Sequence, residues 1–147
     1  LPCDLRDRRQ LPSAGHFDLA VSNPPYFPAG GGKTATGSRG IHRAELACTM
    51  EQLCAAAAYL LRSGGQFCLV YRTERLAELL ETLRRSGLEP KRLRLVQHDA
   101  ASAPSLLLLE SRRGGRPGLA VEPTLLLRDA DGRETDETRR IYFRDKE

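Results

Sequence analysis

The chain has 147 residues and a formal net charge of +4, and 40% of its residues are hydrophobic and 29% charged. This length suits one domain, and this composition excludes collagen-like, coiled-coil and wholly disordered proteins. No apolar run reaches the roughly 18 residues of a membrane span, and residues 1–4 lack the basic and apolar regions of a signal peptide. We therefore expect a cytoplasmic protein without a membrane partner.

Arginine dominates the basic residues, since only three of the 23 basic residues are lysines (Lys33, Lys91 and Lys146). A planar guanidinium can donate two hydrogen bonds to one phosphate, so the composition permits a nucleic-acid partner. A general bias towards arginine with solvated side chains explains the same composition equally well.

The cysteines and histidines show no metal-binding pattern. No C-x-x-C pair or H-x-x-x-H arrangement occurs among Cys3, Cys48, Cys54, Cys68, His16, His42 and His98. We therefore expect no metal site, and we expect the cysteines to be reduced, small apolar groups. A catalytic Cys–His pair stays open as an alternative, because spacing along the chain does not determine spatial pairing.

The first half of the chain predicts a strand, a helix and a second strand. Residues 17–21 form a short apolar run that ends before two prolines, which indicates a strand leading into a loop. A glycine-rich segment follows at residues 29–40. Residues 49–52 fit a capping box, and apolar residues then recur at helical spacing as far as Gly64-Gly65. Residues 66–71 read as a buried strand.

The second half continues the alternation. Thr73 can cap a second helix that ends at Gly87. Residues 93–96 and 106–109 predict two more strands, and the leucine run of the latter is typical of a strand covered on both faces. This order predicts a parallel α/β sheet with right-handed crossovers in residues 1–111. For residues 112–147 we expect a hairpin and a short helix, capped by Thr135 or Asp136.

The tetrapeptide Asn23-Pro24-Pro25-Tyr26 carries the most chemical information. Neither proline has a backbone N–H, and a residue that precedes proline is held in extended geometry. The Asn23 side-chain oxygen and the Pro24 carbonyl could therefore accept both hydrogens of one planar amino group. Tyr26 offers a flat face on which a nucleobase could stack. As an alternative, the tetrapeptide is only a stiff connector between a strand and a loop.

Two acceptors on one amino group favour a particular reaction. An aromatic or amide amine is a poor nucleophile, because its lone pair is delocalised. Acceptors on its hydrogens let the nitrogen become pyramidal and attack an electrophilic methyl group, and they bind the developing positive charge more tightly than the ground state. The motif therefore predicts amino methylation, with Asn23, Pro24, Pro25 and Tyr26 as the catalytic residues.

Residues 17–27, FDLAVSNPPYF, resemble motif IV of the class I S-adenosylmethionine-dependent amino-methyltransferases. Weaker likenesses are closest to the bacterial tRNA(Val) adenine-N6 methyltransferases, and they lie at residues 42–45, 60–67, 71–76, 88–94 and 125–142. The resemblance implies a Rossmann-like class I methyltransferase sheet, of which this chain would be the C-terminal part. It also implies N6-methylation of an adenine in tRNA by the full-length protein, with S-adenosyl-L-methionine as the cofactor.

The resemblance implies roles for further residues. Asp4 and Leu5 match the segment that contacts the adenine of the cofactor, and Asn23 would also lie against the cofactor. The glycine-rich cofactor motif and the first strands of the fold would precede Leu1, so the resemblance assigns any activity to the longer protein. Because the strand at residues 17–21 would be central in a complete sheet, we expect an open apolar edge and self-association.

Basic residues follow the motif and also occur in clusters elsewhere. The glycine-rich loop contains residues that could contact the phosphates of tRNA, or could simply be solvated: Lys33, Arg39, His42 and Arg43. Three clusters could hold an RNA stem if they lie on the motif side of the sheet, although solvated surface is the favoured reading: Arg84-Arg85, Arg112-Arg113 with Arg116, and Arg139-Arg140 with Arg144.

Two alternative functions stay open. A glutamine-amide methyltransferase acting on a release factor uses the same tetrapeptide, although the basic glycine-rich loop suits RNA better than a peptide. A non-catalytic fragment that binds RNA or a partner chain would equally lack the glycine-rich cofactor motif.

Overall fold

The computed structural model describes residues 4–24 and 48–144. In this part of the chain five strands form one sheet, with the spatial order β1-β2-β4-β3-β5. The strands are β1 (Phe17–Ser22), β2 (Leu61–Arg72), β3 (Leu88–Gln97), β4 (Leu106–Arg113) and β5 (Ala120–Leu126). The helices are α1 (Met50–Leu60), α2 (Leu76–Arg85) and α3 (Asp136–Ile141), with a 3₁₀ turn at Thr73–Arg75. No helix in these ranges is long and apolar enough to cross a membrane.

The sheet is mixed, so the prediction of a parallel sheet is wrong for β4. Strand β1 pairs with β2 in parallel, and β3 pairs with β5 in parallel, but β4 is antiparallel to both of its neighbours, β2 and β3. Only residues 98–105 connect β3 to β4, and a parallel connection needs about a dozen residues or more. As a result β1, β2, β3 and β5 all end at one edge of the sheet, which we call the motif edge, and begin at the opposite edge.

Helix α1 begins as predicted and ends earlier than predicted. Its capping box is present, since the Thr49 hydroxyl accepts from the Gln52 N–H at 3.2 Å and the Gln52 side chain accepts from the Thr49 N–H at 2.9 Å. The helix ends at Leu60, whereas its apolar spacing continues to Gly64. The next residue, Leu61, is fully buried, has extended backbone and pairs with Phe17 of β1. Sheet pairing thus outweighs the helical pattern at this residue.

The caps of the two later helices follow different rules. Thr73 does not cap α2, because its hydroxyl donates to the Pro104 carbonyl at 2.7 Å and its residue opens the 3₁₀ turn. The short last helix does form, and of the two predicted caps Thr135 is the one used, accepting from the Thr138 N–H at 3.2 Å. Thr135 also donates to Leu126 at the end of β5, so α3 is held at the motif edge.

The hydrophobic core lies on one face of the sheet, between the strands and helices α1 and α2. Residues of this core come from alternate positions of the strands and from the inner faces of both helices: Leu53, Cys54, Ala57, Leu61, Phe67, Leu69, Tyr71, Leu79, Leu83, Leu88, Leu93, Leu107 and Leu109. We call this the helix-covered face. Helices α1 and α2 do not cover the opposite face, which we call the open face. At its motif edge α3 lies close to it, since Glu137 pairs with Arg94, and Val96 and Leu125 are buried there.

The leucine run of β4 is therefore covered on one face by described residues, not on both. Leu107 and Leu109 are buried against the helices, whereas Leu106 and Leu108 are half-buried on the open face. Periodicity could not have shown this, because an unbroken apolar strand says nothing about which segment supplies the second cover.

Candidate functional site

Asn23 lies at the motif edge, directly after the last residue of β1. Its side chain is exposed, whereas Pro24, the next residue, is buried. No described residue forms a hydrogen bond with the Asn23 amide. A buried proline thus follows an exposed side chain whose oxygen and nitrogen have no partner among residues 4–24 and 48–144. The other two predicted catalytic residues, Pro25 and Tyr26, lie outside the described residues.

A hollow of about 590 Å³ lies beside Asn23 on the open face of the sheet. Its walls come from four neighbouring strands and from Glu122 of β5. Apolar side chains supply one part of the lining, namely Val21, Cys68, Val70 and Leu108. The exposed fraction of Val21 is 73%, so this apolar wall is accessible. A planar organic group could lie against such a wall while its polar end faces Asn23.

The positive and negative side chains that line the hollow form ion pairs with each other. Arg92 pairs with Glu110 at 3.1 Å and with Glu122 at 2.7 Å, and Gln66 also donates to Glu110 at 2.9 Å. Partial burial raises the pKa of Glu110, but the hydrogen bonds from Gln66 and Arg92 and the charges of Arg92 and Arg112 outweigh this and hold the pKa below its ordinary value. The carboxylate is therefore ionised at neutral pH and already has its partners.

The other predicted cofactor contacts precede β1. Asp4 forms an ion pair with Arg6 at 2.7 Å, and the Arg6 hydrogen bonds lower the pKa of Asp4 to about 2. Leu5 packs against the hydrophobic core. Neither residue lines the hollow beside Asn23.

The predicted RNA contacts of the glycine-rich loop cannot be placed. Lys33, Arg39, His42 and Arg43 all lie outside the described residues. In residues 4–24 and 48–144 no group of three or more His, Cys, Asp or Glu side chains is positioned to hold a metal ion.

The three arginine clusters are divided between the two edges of the sheet. Arg139, Arg140 and Arg144 lie in and just after α3, at the motif edge. Arg85 at the end of α2 and Arg113 at the end of β4 lie at the opposite edge, where they line a second cavity of about 850 Å³ together with Arg8 and Arg62. Sequence analysis missed this four-arginine cavity. Tertiary packing of a loop, a helix end and two strand ends brings the four residues together, although the pairs Arg84-Arg85 and Arg112-Arg113 stood near the ends of predicted elements.

Two curated relatives resemble the chain over most of its length. The tRNA1(Val) (adenine(37)-N6)-methyltransferase of Dickeya chrysanthemi is 34% identical over 137 residues, which is 90% of this chain and 53% of the relative. The protein of the same description from Serratia proteamaculans is 36% identical over 134 residues, which is 87% of this chain and 48% of the relative. These similarities confirm the predicted resemblance. The chain spans about half the length of these relatives.

Solved structures show the fold. A predicted O-methyltransferase from Agrobacterium tumefaciens matches with a TM-score of 0.61 at 20% identity, covering 80% of this chain and 46% of that one. A candidate DNA modification methylase from Thermus thermophilus, complexed with S-adenosyl-L-methionine, matches with a TM-score of 0.51 at 16% identity, covering 93% and 58%. The predicted Rossmann-like methyltransferase fold is confirmed. The sequence matches no protein-family model.

Proposed function

We propose that this chain supplies the amine-binding portion of an S-adenosylmethionine-dependent methyltransferase that methylates N6 of an adenine in tRNA. The observation that carries the proposal is the exposed Asn23 side chain just after β1, which has no hydrogen bond to any described residue and lies beside an accessible hollow. The curated relatives support the choice of reaction and substrate, since both are described as tRNA adenine-N6 methyltransferases.

The proposed chemistry needs only acceptors at the amine. The Asn23 side-chain oxygen accepts one hydrogen of the adenine N6 group, and the Pro24 carbonyl accepts the other. The nitrogen then becomes pyramidal, and both acceptors bind its growing positive charge more tightly than they bind the neutral amine. The methylated nitrogen afterwards loses one proton. This step needs no strong base, because the product ammonium is acidic. Tyr26 stacks on the ring, and Pro25 keeps the corner stiff.

S-adenosyl-L-methionine, when bound, would supply the electrophilic methyl group, with its methyl–sulfur bond breaking and S-adenosyl-L-homocysteine as the leaving group. Of the three residues that the resemblance assigns to the cofactor, only Asn23 lines the hollow, and Asp4 and Leu5 would contact the cofactor outside it. Asp4 is ionised at neutral pH and its side chain is 38% exposed, so one carboxylate can accept a hydrogen bond from an adenine amine besides those from Arg6. Leu5 offers an apolar neighbour to the ring, and Asn23 lies at the end of β1. Three contacts are few for a cofactor of this size, so tight binding needs further residues.

A tRNA substrate sets demands on the surface around the motif. The target base must leave its stack to reach Tyr26, which costs least in a single-stranded loop. Lys33, Arg39, His42 and Arg43 would contact the phosphates on either side of that base, and their removal would flatten the salt dependence of tRNA affinity. A tRNA substrate would also place the protein in the cytoplasm.

The test of this function is Asn23→Ala, measured as methyl transfer from labelled S-adenosylmethionine into tRNA. The assay uses the chain itself and a chimera in which it replaces the matching half of the Dickeya relative. We expect the rate in the chimera to fall by 10²–10³, or about 3 kcal/mol, by analogy with the loss of one transition-state hydrogen bond elsewhere. Asn23→Asp keeps an acceptor oxygen and should retain more activity than Asn23→Ala.

Folding and product identity provide the controls. Because Asn23 is exposed, its replacement should leave the melting temperature unchanged. Label that appears in protein and not in tRNA would instead support the glutamine-amide alternative. A folded chimera that methylates neither substrate would contradict the proposal and favour a non-catalytic binding fragment.

We also propose that the isolated chain self-associates through β1. In the described sheet β1 pairs only with β2, and its open-face side chains are exposed, with exposed fractions of 42% for Phe17, 52% for Leu19 and 73% for Val21. An unpaired edge strand with apolar side chains favours pairing with a second copy of the chain. Sedimentation of the chain should show a dimer or larger species that Leu19→Lys weakens. A monomer at all concentrations would contradict this.

A further inference from the structure

The four-arginine cavity lies at the edge of the sheet opposite Asn23. It is lined by the ends of α1 and α2, the beginning of β2 and the end of β4. Arg8, Arg62, Arg85 and Arg113 all contribute to its walls, and no Asp or Glu is among the lining residues. Positive charges that line one cavity repel each other. The four guanidinium groups around this concave surface therefore favour an anionic ligand.

Two of the four guanidinium groups have no carboxylate partner among the described residues. Arg8 lies over the Tyr59 ring, with its guanidinium carbon 5.3 Å from the ring centre. Arg113 donates to the Leu61 carbonyl oxygen, which holds its guanidinium group in the cavity wall. Both groups keep donors that neither contact uses, because each guanidinium carries five N–H donors.

The other two guanidinium groups are paired only with exposed carboxylates. Arg62 pairs with Asp18, whose side chain is 77% exposed. Arg85 pairs with Glu81 at 3.5 Å, and the exposed fractions of the two side chains are 79% and 65%. Exposed ion pairs of this kind contribute only about 0–1 kcal/mol to stability in general. A phosphate can therefore compete with these carboxylates for the two arginines.

The contrast with the cluster at the motif edge supports a specific role for this cavity. Residues 128–144 carry as many acidic as basic side chains, and Glu134 pairs with Arg144 while Glu137 pairs with Arg94. Arg139 and Arg140 are exposed on the short helix α3, and neither lines a described cavity. The two edges thus differ in local charge balance and in shape.

We infer that the four-arginine cavity binds phosphates of an RNA backbone, and that it is a second contact for the same RNA whose base reaches Asn23. The six residues of β1 separate the two sites by about 20 Å, which a folded RNA spans easily. The fork geometry of arginine suits phosphate oxygens, and contacts of this kind position an RNA without reading its sequence. The identity of the RNA as tRNA rests on the proposed function. Phosphate binding by the cavity does not.

The test compares two double variants, each of which removes two positive charges from one edge of the sheet. Arg8→Gln/Arg85→Gln changes the cavity, and Arg139→Gln/Arg140→Gln changes the motif edge by the same charge. Affinity of the full chain for a labelled RNA hairpin is measured by fluorescence anisotropy between about 0.05 and 0.2 M salt. Because each lost phosphate contact lowers the slope of log affinity against log salt by about 0.7–0.9, we expect the cavity variant to lose about 1.5 in slope and about tenfold in affinity at low salt. The motif-edge variant should lose less than about twofold.

A variant that is expected to bind RNA more tightly provides a control, because misfolding could explain a loss of affinity in the double variants but not a gain. Glu81→Gln frees Arg85, and Asp131→Asn frees Arg133 from a similarly exposed pair of 3.7 Å at the motif edge. Only Glu81→Gln should raise RNA affinity, by about twofold to threefold. Equal effects of the two members in both matched pairs would overturn the proposal, because they would show a response to net charge alone.

Two further measurements distinguish failure of this inference from failure of the proposed function. Inorganic pyrophosphate that binds the chain and loses affinity in the cavity variant, while hairpin affinity is the same in both double variants, would assign the cavity to a small phosphate ligand and overturn RNA binding there. Hairpin binding that depends on the cavity, without methyl transfer to tRNA by the chimera, would overturn the proposed function alone. Methyl transfer with hairpin and tRNA affinities unchanged in the cavity variant would overturn this inference alone.

Discussion

The two faces of the sheet are built from adjacent residues of the same strands, yet they have opposite properties. On the helix-covered face, Phe67, Leu107 and Leu109 are almost completely buried against α1 and α2. On the open face, Leu108 and Cys68 line an accessible hollow that ends at Asn23. One face therefore supplies stability and the other is available for binding. In this fold a shift of one residue along a strand therefore separates side chains of the core from those of the candidate site.

Substitution of neighbouring leucines in β4 should show this contrast most strongly. Leu107 is fully buried, so Leu107→Ala leaves a cavity and should cost about 2–5 kcal/mol of unfolding free energy. Leu108 is half-buried on the open face, and Leu108→Ala should cost about 1 kcal/mol. Urea denaturation of the two variants measures both values. Equal costs would show that the open face is covered in solution, for example by a second copy of the chain.

The cysteines provide a second comparison of the faces. Burial raises the pKa of Cys54, on the helix-covered face, to about 12, so only about one in ten thousand of its thiols is ionised at pH 8. Burial also raises the pKa of Cys68, on the open face, but this residue is only half-buried and lines the hollow. Alkylation by iodoacetamide at pH 8, followed by peptide mapping, should modify Cys68 at least tenfold faster than Cys54. Comparable rates would mean that the helices detach readily.

The smallest expected effect concerns two buried hydroxyl groups on the helix-covered face. The Tyr71 hydroxyl is buried and has no hydrogen-bond partner among the described residues, whereas the Ser111 hydroxyl donates to the Phe67 carbonyl at 3.3 Å. Tyr71→Phe should therefore leave the unfolding free energy unchanged or raise it slightly, and Ser111→Ala should lower it by about 1 kcal/mol. Thermal unfolding measures both. A clear loss in Tyr71→Phe would reveal a partner for this hydroxyl outside the described residues.

Local sequence patterns correctly predicted those elements whose boundaries depend on residues that are close in sequence. The capping box at Thr49 and the apolar stripe of α2 are short-range features, so they could be read directly. Patterns failed where distant pairing decided the outcome, as at Leu61, which leaves the helical pattern to pair with Phe17. The direction of β4 belongs to the same class, although the short connection of residues 98–105 did carry the signal for it.

The candidate site divides in the same way. Asn23 and Pro24 were predicted because two adjacent prolines restrict the backbone by covalent geometry alone. The hollow beside Asn23 was not predicted, because its walls combine residues from five strands and the register between strands is not visible in a local pattern. The four-arginine cavity was missed entirely, because its residues are spread from position 8 to position 113.

By itself the sequence determined the alternation of strands and helices and predicted a stiff corner after β1, since each depends on steric and hydrogen-bonding preferences within a few residues. Only the tertiary structure decided which face of the sheet is open and which arginines converge. These features arise when strand pairing brings distant residues within a few ångströms of each other, and the free energy that selects the pairing is a sum over the whole core.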